Sequence, residues 1–131
     1  MGRTTALVRV CNPQDRARCL DLELIVDAGN TYTWIRRERL KSIGVRPSGT
    51  RRFRTIEGRT VERGIGEAVI ECLGERATRV VVFAGRDDVE VVGVEALEGL
   101  GLEVDPVTRQ LRRSESLLAL TALDEDRKSV V

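Results

Sequence analysis

Histidine is absent from this sequence of 131 residues, and aromatic residues make up only 3 % of it. Without histidine the chain lacks the commonest general base and the commonest metal ligand, which excludes hydrolases built on serine–histidine or cysteine–histidine pairs. The few aromatics offer little surface on which nucleic-acid bases could stack. Any hydrolytic chemistry must therefore come from carboxylates.

Cysteine and long apolar runs are also scarce. Cys11, Cys19 and Cys72 are odd in number and lack the spacing of a metal site, so we expect reduced thiols in the cytoplasm and neither a metal nor a cofactor. No segment approaches the roughly 18 apolar residues that cross a bilayer. The opening residues 1–6 resemble neither a secretory signal nor a myristoylation site. The sequence predicts a soluble protein without a membrane partner.

Charge of neither sign dominates, since 22 Lys and Arg face 21 Asp and Glu for a net charge of +1. Residues 36–63 nevertheless hold ten basic residues and three glutamates, which leaves nucleic-acid binding open as an alternative. The acidic stretch 86–105 in the same small chain, and the missing aromatics, argue against it. We predict no nucleic-acid partner. The basic stretch could instead favour acidic peptides or complement the acidic stretch of a second copy.

The spacing of apolar residues indicates one mostly β domain, and the length suits a single core. Residues 4–10 are largely β-branched or apolar, and Leu20, Leu22 and Leu24 alternate with acidic residues. These two segments predict a hairpin with one buried face. Residues 80–83 are apolar on both faces and predict a central strand.

Glycines mark the predicted ends of two short helices. Residues 36–43 are good helix formers followed by Gly44, and residues 94–100 are followed by Gly101. Glycine suits the left-handed position just beyond a helix. We therefore predict two short helices among the strands.

A long hairpin is predicted between these helices. Residues 50–56 and 59–63 flank the turn sequence Glu57-Gly58. Gly64 and Gly66 would give the base of this hairpin room to bend.

Asp27 is the most informative residue, because the apolar strand Leu24-Ile25-Val26 delivers its carboxylate to the turn Ala28-Gly29-Asn30. An ionised carboxylate among apolar residues costs several kcal/mol unless it is paired or hydrogen-bonded. Asp27 therefore either acts chemically or caps the turn.

The order of these parts resembles that of retropepsin-like aspartic proteases. Asp27-Ala28-Gly29 matches the catalytic turn, residues 56–66 match the flap, and Val91-Val92-Gly93 matches the strand behind the catalytic loop. The stretch 93–106 is most similar to the small single-domain members of bacteria and archaea. The resemblance covers residues 4–112.

The resemblance implies an all-β, retropepsin-like closed barrel or sandwich with two short helices, assembled as a homodimer. It implies an aspartic endopeptidase that hydrolyses peptide or protein substrates with Asp27 as the catalytic residue of each chain. Gly29 and the flap residues Ile56, Glu57 and Gly58 would bind substrate. No metal or cofactor is implied.

The chemistry follows from placing two carboxylates together. Two carboxylates within hydrogen-bond distance cannot both ionise, so they share one proton. The ionised partner would take a proton from an attacking water, and the protonated partner would donate to the peptide carbonyl. Since the chain has a single Asp-x-Gly turn in an apolar setting, self-association is required.

Two positions depart from the family pattern. Ala28 stands where the family has Thr or Ser, whose hydroxyl reaches the partner's loop, and its loss costs about 0.5–1.5 kcal/mol per hydrogen bond. Asn30 replaces a small residue and either restores polar contacts near the catalytic pair or crowds it. The rival to the enzyme is a weak or inactive dimeric peptide-binding or scaffolding domain of the same fold.

Three residues have plainer readings. Gly58 would serve an ordinary hairpin turn as well as a flap tip, and Glu57 beside it would simply be solvated. Trp34 is expected in the core rather than as a binding aromatic.

We divide the chain into a protease domain over residues 1–112 and a C-terminal tail over residues 113–131, whose leucines could line a helical face before a charged, frayed end.

Overall fold

The computed structural model describes residues 3–115, of which 54 % lie in strands. The strands are β1 (Thr5–Asn12), β2 (Asp15–Val26), β3 (Thr33–Arg36), β4 (Gly49–Arg54), β5 (Thr60–Cys72), β6 (Glu75–Ala84), β7 (Val91–Val92), β8 (Leu102–Val104) and β9 (Leu111–Arg113). The two helices are α1 (Arg37–Ser42) and α2 (Val94–Leu100). The predicted mostly β fold with two short helices is confirmed for the described residues.

The predicted first hairpin is formed by β1 and β2, which pair antiparallel with Val8 opposite Leu22. Alternate residues of each strand point inward, so that Val8 and Val10 of β1 are buried together with Leu22 and Leu24 of β2. This period of two is the one that the sequence shows, and it gives the hairpin one apolar face.

Seven strands form one sheet in the order β1-β2-β7-β3-β6-β5-β4. Strand β1 also pairs with β5, where Val10 lies opposite Ile70, so the hydrogen-bonded strands return to their starting point. Strand β6 lies between β3 and β5 and buries Val81 and Val82, which confirms the predicted central strand. Strands β8 and β9 form a separate small sheet.

The long hairpin differs from the prediction at its base. The arms β4 and β5 pair as expected, but β5 continues without interruption from Thr60 to Cys72. Its glycines make room for a neighbouring segment, since a Cβ at Gly66 would lie 2.9 Å from the carbonyl oxygen of Arg46 and one at Gly64 would lie 3.1 Å from the Pro47 side chain. The glycines therefore admit a close approach and do not break the strand.

Helix α2 ends where the sequence predicts, and α1 is one residue shorter at each end than the predicted residues 36–43. Helix α1 is followed by Gly44 with φ +80°, and α2 is followed by Gly101 with φ +70°. Leu40 of α1 and Leu97 of α2 pack into the common core. Each helix thus covers the sheet with its apolar residues and stops at a left-handed glycine.

The cysteines differ from the expectation of three reduced thiols. Cys11 and Cys19 lie opposite each other in the register of β1 and β2 and are joined by a disulfide. Cys72 is free, and burial raises the pKa of its thiol. The spacing along the chain did not indicate the pair, because only the hairpin register places the two residues side by side.

No helix within residues 3–115 is long and apolar enough to cross a membrane. The leucines predicted to line a helical face of the tail (Leu117, Leu118, Leu120 and Leu123) lie outside the described residues. Strand β9 ends at Arg113, beside the predicted boundary at residue 112, and the division into domain and tail stays a prediction.

Candidate active site

Asp27 lies at the end of β2, where the strand leaves the sheet. Strand β2 pairs in parallel with β7, with Val26 opposite Val92. The Asp27 backbone N–H donates to the Val92 carbonyl oxygen at 2.9 Å, and the Val26 N–H donates to the Thr4 carbonyl oxygen at 2.8 Å. The sheet on either side therefore holds the entry to the Asp27 turn.

Both oxygens of the Asp27 carboxylate are oriented from within the turn. The Gly29 backbone N–H donates to Oδ1 at 2.8 Å, and the Asn30 side-chain amide donates to Oδ2 at 2.9 Å. Asp27 is half-buried, whereas Ala28 and Gly29 are exposed. Each carboxylate oxygen keeps further acceptor capacity for a water, a proton or a second carboxyl group.

This geometry decides between the two predicted effects of Asn30. Its amide makes a polar contact with the carboxylate, and its own backbone N–H donates to the Asp27 carbonyl oxygen at 3.1 Å. A Cβ at Gly29 would lie 3.1 Å from Asp27 Oδ1, so a side chain at this position would require the carboxylate to shift. The turn thus wraps closely around its own carboxylate.

The start of α2 fixes the other end of the turn. The backbone N–H of Val94 donates to the Asn30 carbonyl oxygen, and that of Glu95 donates to the Thr31 carbonyl oxygen, both at 2.8 Å. The Gly93 N–H donates to the hydroxyl oxygen of the fully buried Thr33 at 3.1 Å. The turn is therefore clamped between β7 and α2.

The flap residues of the sequence analysis lie together at the tip of the hairpin formed by β4 and β5. Ile56 is fully exposed, at 104 % of its reference area, and Gly58 has φ +89° with open space around it. The pKa of Glu57 is lowered because its carboxylate accepts hydrogen bonds from its own backbone N–H and from Thr55. The structure thus brings Asp27 and Gly29 together in one turn, and Ile56, Glu57 and Gly58 together at the hairpin tip.

The hairpin meets the segment after the Asp27 turn through β4, by contacts that the sequence pattern does not indicate. The Phe53 ring contacts Trp34 edge-on with centroids 4.9 Å apart and Tyr32 with centroids 6.3 Å apart. Arg51 donates from Nη1 to the Tyr32 hydroxyl at 2.6 Å, and its guanidinium lies 5.2 Å from the centre of that ring. Trp34 is half-buried and is not among the core residues, so its predicted place in the core is wrong and it contributes to this contact instead.

A period of two could have pointed to these contacts. Arg51 and Phe53 are two residues apart on one strand, and Tyr32 and Trp34 are two residues apart on the next segment, so each pair shares a face. Which faces meet depends on tertiary packing, which the sequence pattern does not contain.

The base of the hairpin is held by a half-buried ion pair. Arg63 on β5 donates two hydrogen bonds to Asp88, at 2.6 and 3.0 Å. The Gly85 backbone N–H adds a third at 2.6 Å. The Arg63 guanidinium is the main cause of the lowered pKa of Asp88. This ion pair joins the hairpin to the loop between β6 and β7.

A cavity of about 740 Å³ lies elsewhere, between the start of β1, Leu73 and residues 108–111. Its lining within residues 3–115 contains no carboxylate and no candidate site residue. An active site assembled from two copies would not appear as a pocket in one. Within residues 3–115, no three acidic or cysteine side chains are grouped as a metal site.

In comparisons with known proteins, no protein-family model matches this sequence and no curated protein matches it. The functional assignment therefore depends on the residues and contacts described above.

Proposed function

We propose that this chain is an aspartic endopeptidase of the retropepsin-like type, with a closed barrel-like fold and a homodimeric active form. The observation that carries the proposal is the Asp27 turn, whose half-buried carboxylate is oriented by Gly29 and Asn30 at the end of an apolar strand. A mere turn cap would need one such hydrogen bond, whereas here both oxygens of the half-buried carboxylate are held in place.

The second support is the arrangement around the turn. Strand β7 lies beside the end of β2, and Gly93 follows it at the start of α2. The hairpin of β4 and β5 contacts the segment that follows the turn. The tip of this hairpin carries the exposed Ile56. An apolar side chain exposed on a hairpin tip is suited to closing over an extended peptide, which would bury it.

The proposed mechanism uses the Asp27 carboxylates of two chains on a two-fold axis. They would hold one proton between them, since two adjacent carboxylates cannot both ionise. The ionised Asp27 takes a proton from a water as that water attacks the substrate carbonyl carbon, and the protonated one donates to the carbonyl oxygen. The tetrahedral intermediate then collapses as a proton passes to the leaving amine.

Homodimerisation is part of the proposal because each chain contributes one Asp27 turn. Ala28, the residue between Asp27 and Gly29, is exposed in the single chain and free to contact a second copy. Substrates would be unfolded or extended peptide segments, and neither nucleic acid nor a membrane is proposed as a partner.

The test is cleavage of an unfolded casein between pH 3 and pH 7 by the wild type and by Asp27→Asn. We expect the substitution to lower the rate by at least about 10³-fold, because it removes the group that activates water. The matched control is Asp87→Asn, an exposed carboxylate outside the turn, which should leave the rate unchanged. Equal rates for wild type and Asp27→Asn would overturn the proposal.

The second candidate is a dimeric peptide-binding or scaffolding domain without activity. The observation that favours it is Ala28, which offers no hydroxyl to a partner's loop. A sample shown to be dimeric that binds a peptide but cleaves nothing at any pH would support it. Binding of the basic hairpin to nucleic acid would instead appear as a mobility shift that persists at physiological salt.

We also propose the cytoplasm as the location. The Cys11–Cys19 disulfide weighs against this part of the proposal, because disulfides persist mainly in oxidising compartments. Counting free thiols by alkylation in intact cells decides between the cytoplasm and an oxidising compartment. Three free thiols indicate the cytoplasm, and one indicates an oxidising compartment.

A further inference from the structure

The hairpin formed by β4 and β5 carries an excess of positive charge. Residues 49–63 contain five arginines and two glutamates, a difference of three positive charges. Arg63 is neutralised by Asp88. The other four have no carboxylate partner within 4 Å in the described part of the chain, and these are Arg51, Arg52, Arg54 and Arg59.

Arg51 differs from Arg52 and Arg54 in the face of the hairpin on which it lies. It lies opposite Arg63 in the register, and Phe53 shares its face two residues along. That face packs on Tyr32 and Trp34. Arg52 lies on the opposite face, and the residue across from it in the strand register is Glu62.

Tyr32 connects Arg51 to the candidate active site. It stands five residues after Asp27, and its carbonyl group is in close approach to Gly93, so it belongs to the same clamped loop. Arg51 donates one N–H to the Tyr32 hydroxyl, and its guanidinium lies over the Tyr32 ring. These two contacts restrict the rotamers of Arg51. A guanidinium has five donor hydrogens, so the others stay free for a carboxylate.

We propose that Arg51 is a specificity-determining residue that selects peptides with an Asp or Glu side chain near the scissile bond. This inference rests on the proposed function and names its substrate class. An oriented arginine without a carboxylate of its own binds a carboxylate by paired, charge-assisted hydrogen bonds, which an amide cannot match. Arg51 acts on substrate choice and takes no part in the proton transfers.

The first test maps the cleavage sites in an unfolded casein. The wild type should cut with Asp or Glu enriched at one fixed position relative to the scissile bond. For a peptide taken from such a site, changing the acidic residue to its amide should lower kcat/KM by about tenfold or more. Arg51→Gln should abolish this ratio, Arg51→Lys should keep part of it, and the matched control Arg52→Gln should keep all of it.

The ratio between acidic and amide peptides separates specificity from folding, because a damaged protein loses activity on both peptides alike. Cleavage without any enrichment of acidic residues, or a ratio unchanged in Arg51→Gln, would overturn the role of Arg51 and leave the peptidase proposal intact.

A binding measurement tests the role of Arg51 if the chain has no peptidase activity. Fluorescence anisotropy of the Asp27→Asn variant uses a labelled casein peptide that contains Asp or Glu, chosen without reference to cleavage, and its amide counterpart. It reports preference between the two peptides without cleavage. If the wild type cleaves nothing yet the acidic peptide binds more tightly through Arg51, the enzyme proposal fails and the role of Arg51 stands. Equal binding of both peptides overturns the role of Arg51.

Discussion

At the scale of single residues, Gly93 is the position near the Asp27 turn where the backbone of another segment lies closest. A Cβ at this position would overlap the carbonyl oxygen of Tyr32 and would lie 2.7 Å from that of Thr31. Backbone atoms cannot rotate aside as a flexible side chain can. The turn and the start of α2 can therefore pack together only if residue 93 has no side chain.

We expect Gly93→Ala to destabilise the fold by at least about 3 kcal/mol, because an extra methyl in a packed backbone contact forces the turn away from α2. Thermal unfolding followed by circular dichroism measures the effect. The matched control is Gly49→Ala, whose Cβ would meet nothing within 4 Å, so its melting temperature should stay within a few degrees of the wild type. Equal melting temperatures for the two variants would contradict this account.

The sequence reached Asp27 and Gly29 because their signal is local: an apolar strand followed by a turn. It left the effect of Asn30 open, since an amide next to a carboxylate either bonds or crowds depending on a rotamer. It missed Arg51 and Tyr32 altogether, because their contact joins residues 19 apart whose strands meet only in the folded chain.

At the scale of elements, the hairpin is held at its base by Arg63 and Asp88. Their side chains are 26 % and 19 % exposed, so solvent screens this pair only in part. The lowered pKa of Asp88 means that the folded protein favours the ionised carboxylate. This stabilisation is fully present above the pKa of an unfolded aspartate, about 3.9, and is lost as the pH falls through the lower value of the folded state.

We expect Asp88→Asn to lower the free energy of unfolding at pH 7 by about 1–3 kcal/mol, the range for hydrogen bonds to charged groups. Urea unfolding at a series of pH values checks this at one protein concentration. The difference between wild type and variant should be constant from pH 7 to pH 5 and should shrink below about pH 4. Asp87→Asn is the neighbouring control, and a difference that grew towards low pH would contradict the role of the pair.

Elements with local signals were predicted well. The bounds of α2 coincide with the predicted residues 94–100, because a glycine closes an apolar helical pattern there. The continuity of β5 was not predicted, because the glycines that suggested a bend instead admit Arg46 and Pro47. The pairing of β7, in parallel with β2 and antiparallel with β3, was also beyond the local pattern, since it joins segments that are far apart in the chain.

At the scale of the whole molecule, the proposed function requires two chains, and Ala28 is the position that bears on their affinity. In the retropepsin-like pattern a hydroxyl at this position bonds to the partner's turn. Two symmetric hydrogen bonds at about 0.5–1.5 kcal/mol each amount to about 1–3 kcal/mol.

We therefore expect Ala28→Thr to lower the dimer dissociation constant by about 5- to 150-fold. Sedimentation equilibrium over a range of concentrations measures it. Ala28→Val is the matched control, since valine has the shape of threonine without the hydroxyl. Equal dissociation constants for the two variants would show that no such hydrogen bond forms.

The mostly β character of the molecule could be read from the alternation of apolar residues, but the pairing of β1 with β5 could not be read from that alternation. The pairing of β1 with β5 joins residues about 60 apart, and the disulfide depends on the register of β1 against β2. Both are properties of the assembled sheet, which single segments do not encode.

The hydrogen bond between Thr4 and Val26 has a practical consequence for anyone producing this protein. Val26 is the last residue before Asp27, so a purification tag joined close to Thr4 would lie near the carboxylate under study. In the proposed homodimer, such a fusion would stand where the second copy approaches. Tags should be placed at the other terminus, or cleaved off, before any assay of assembly.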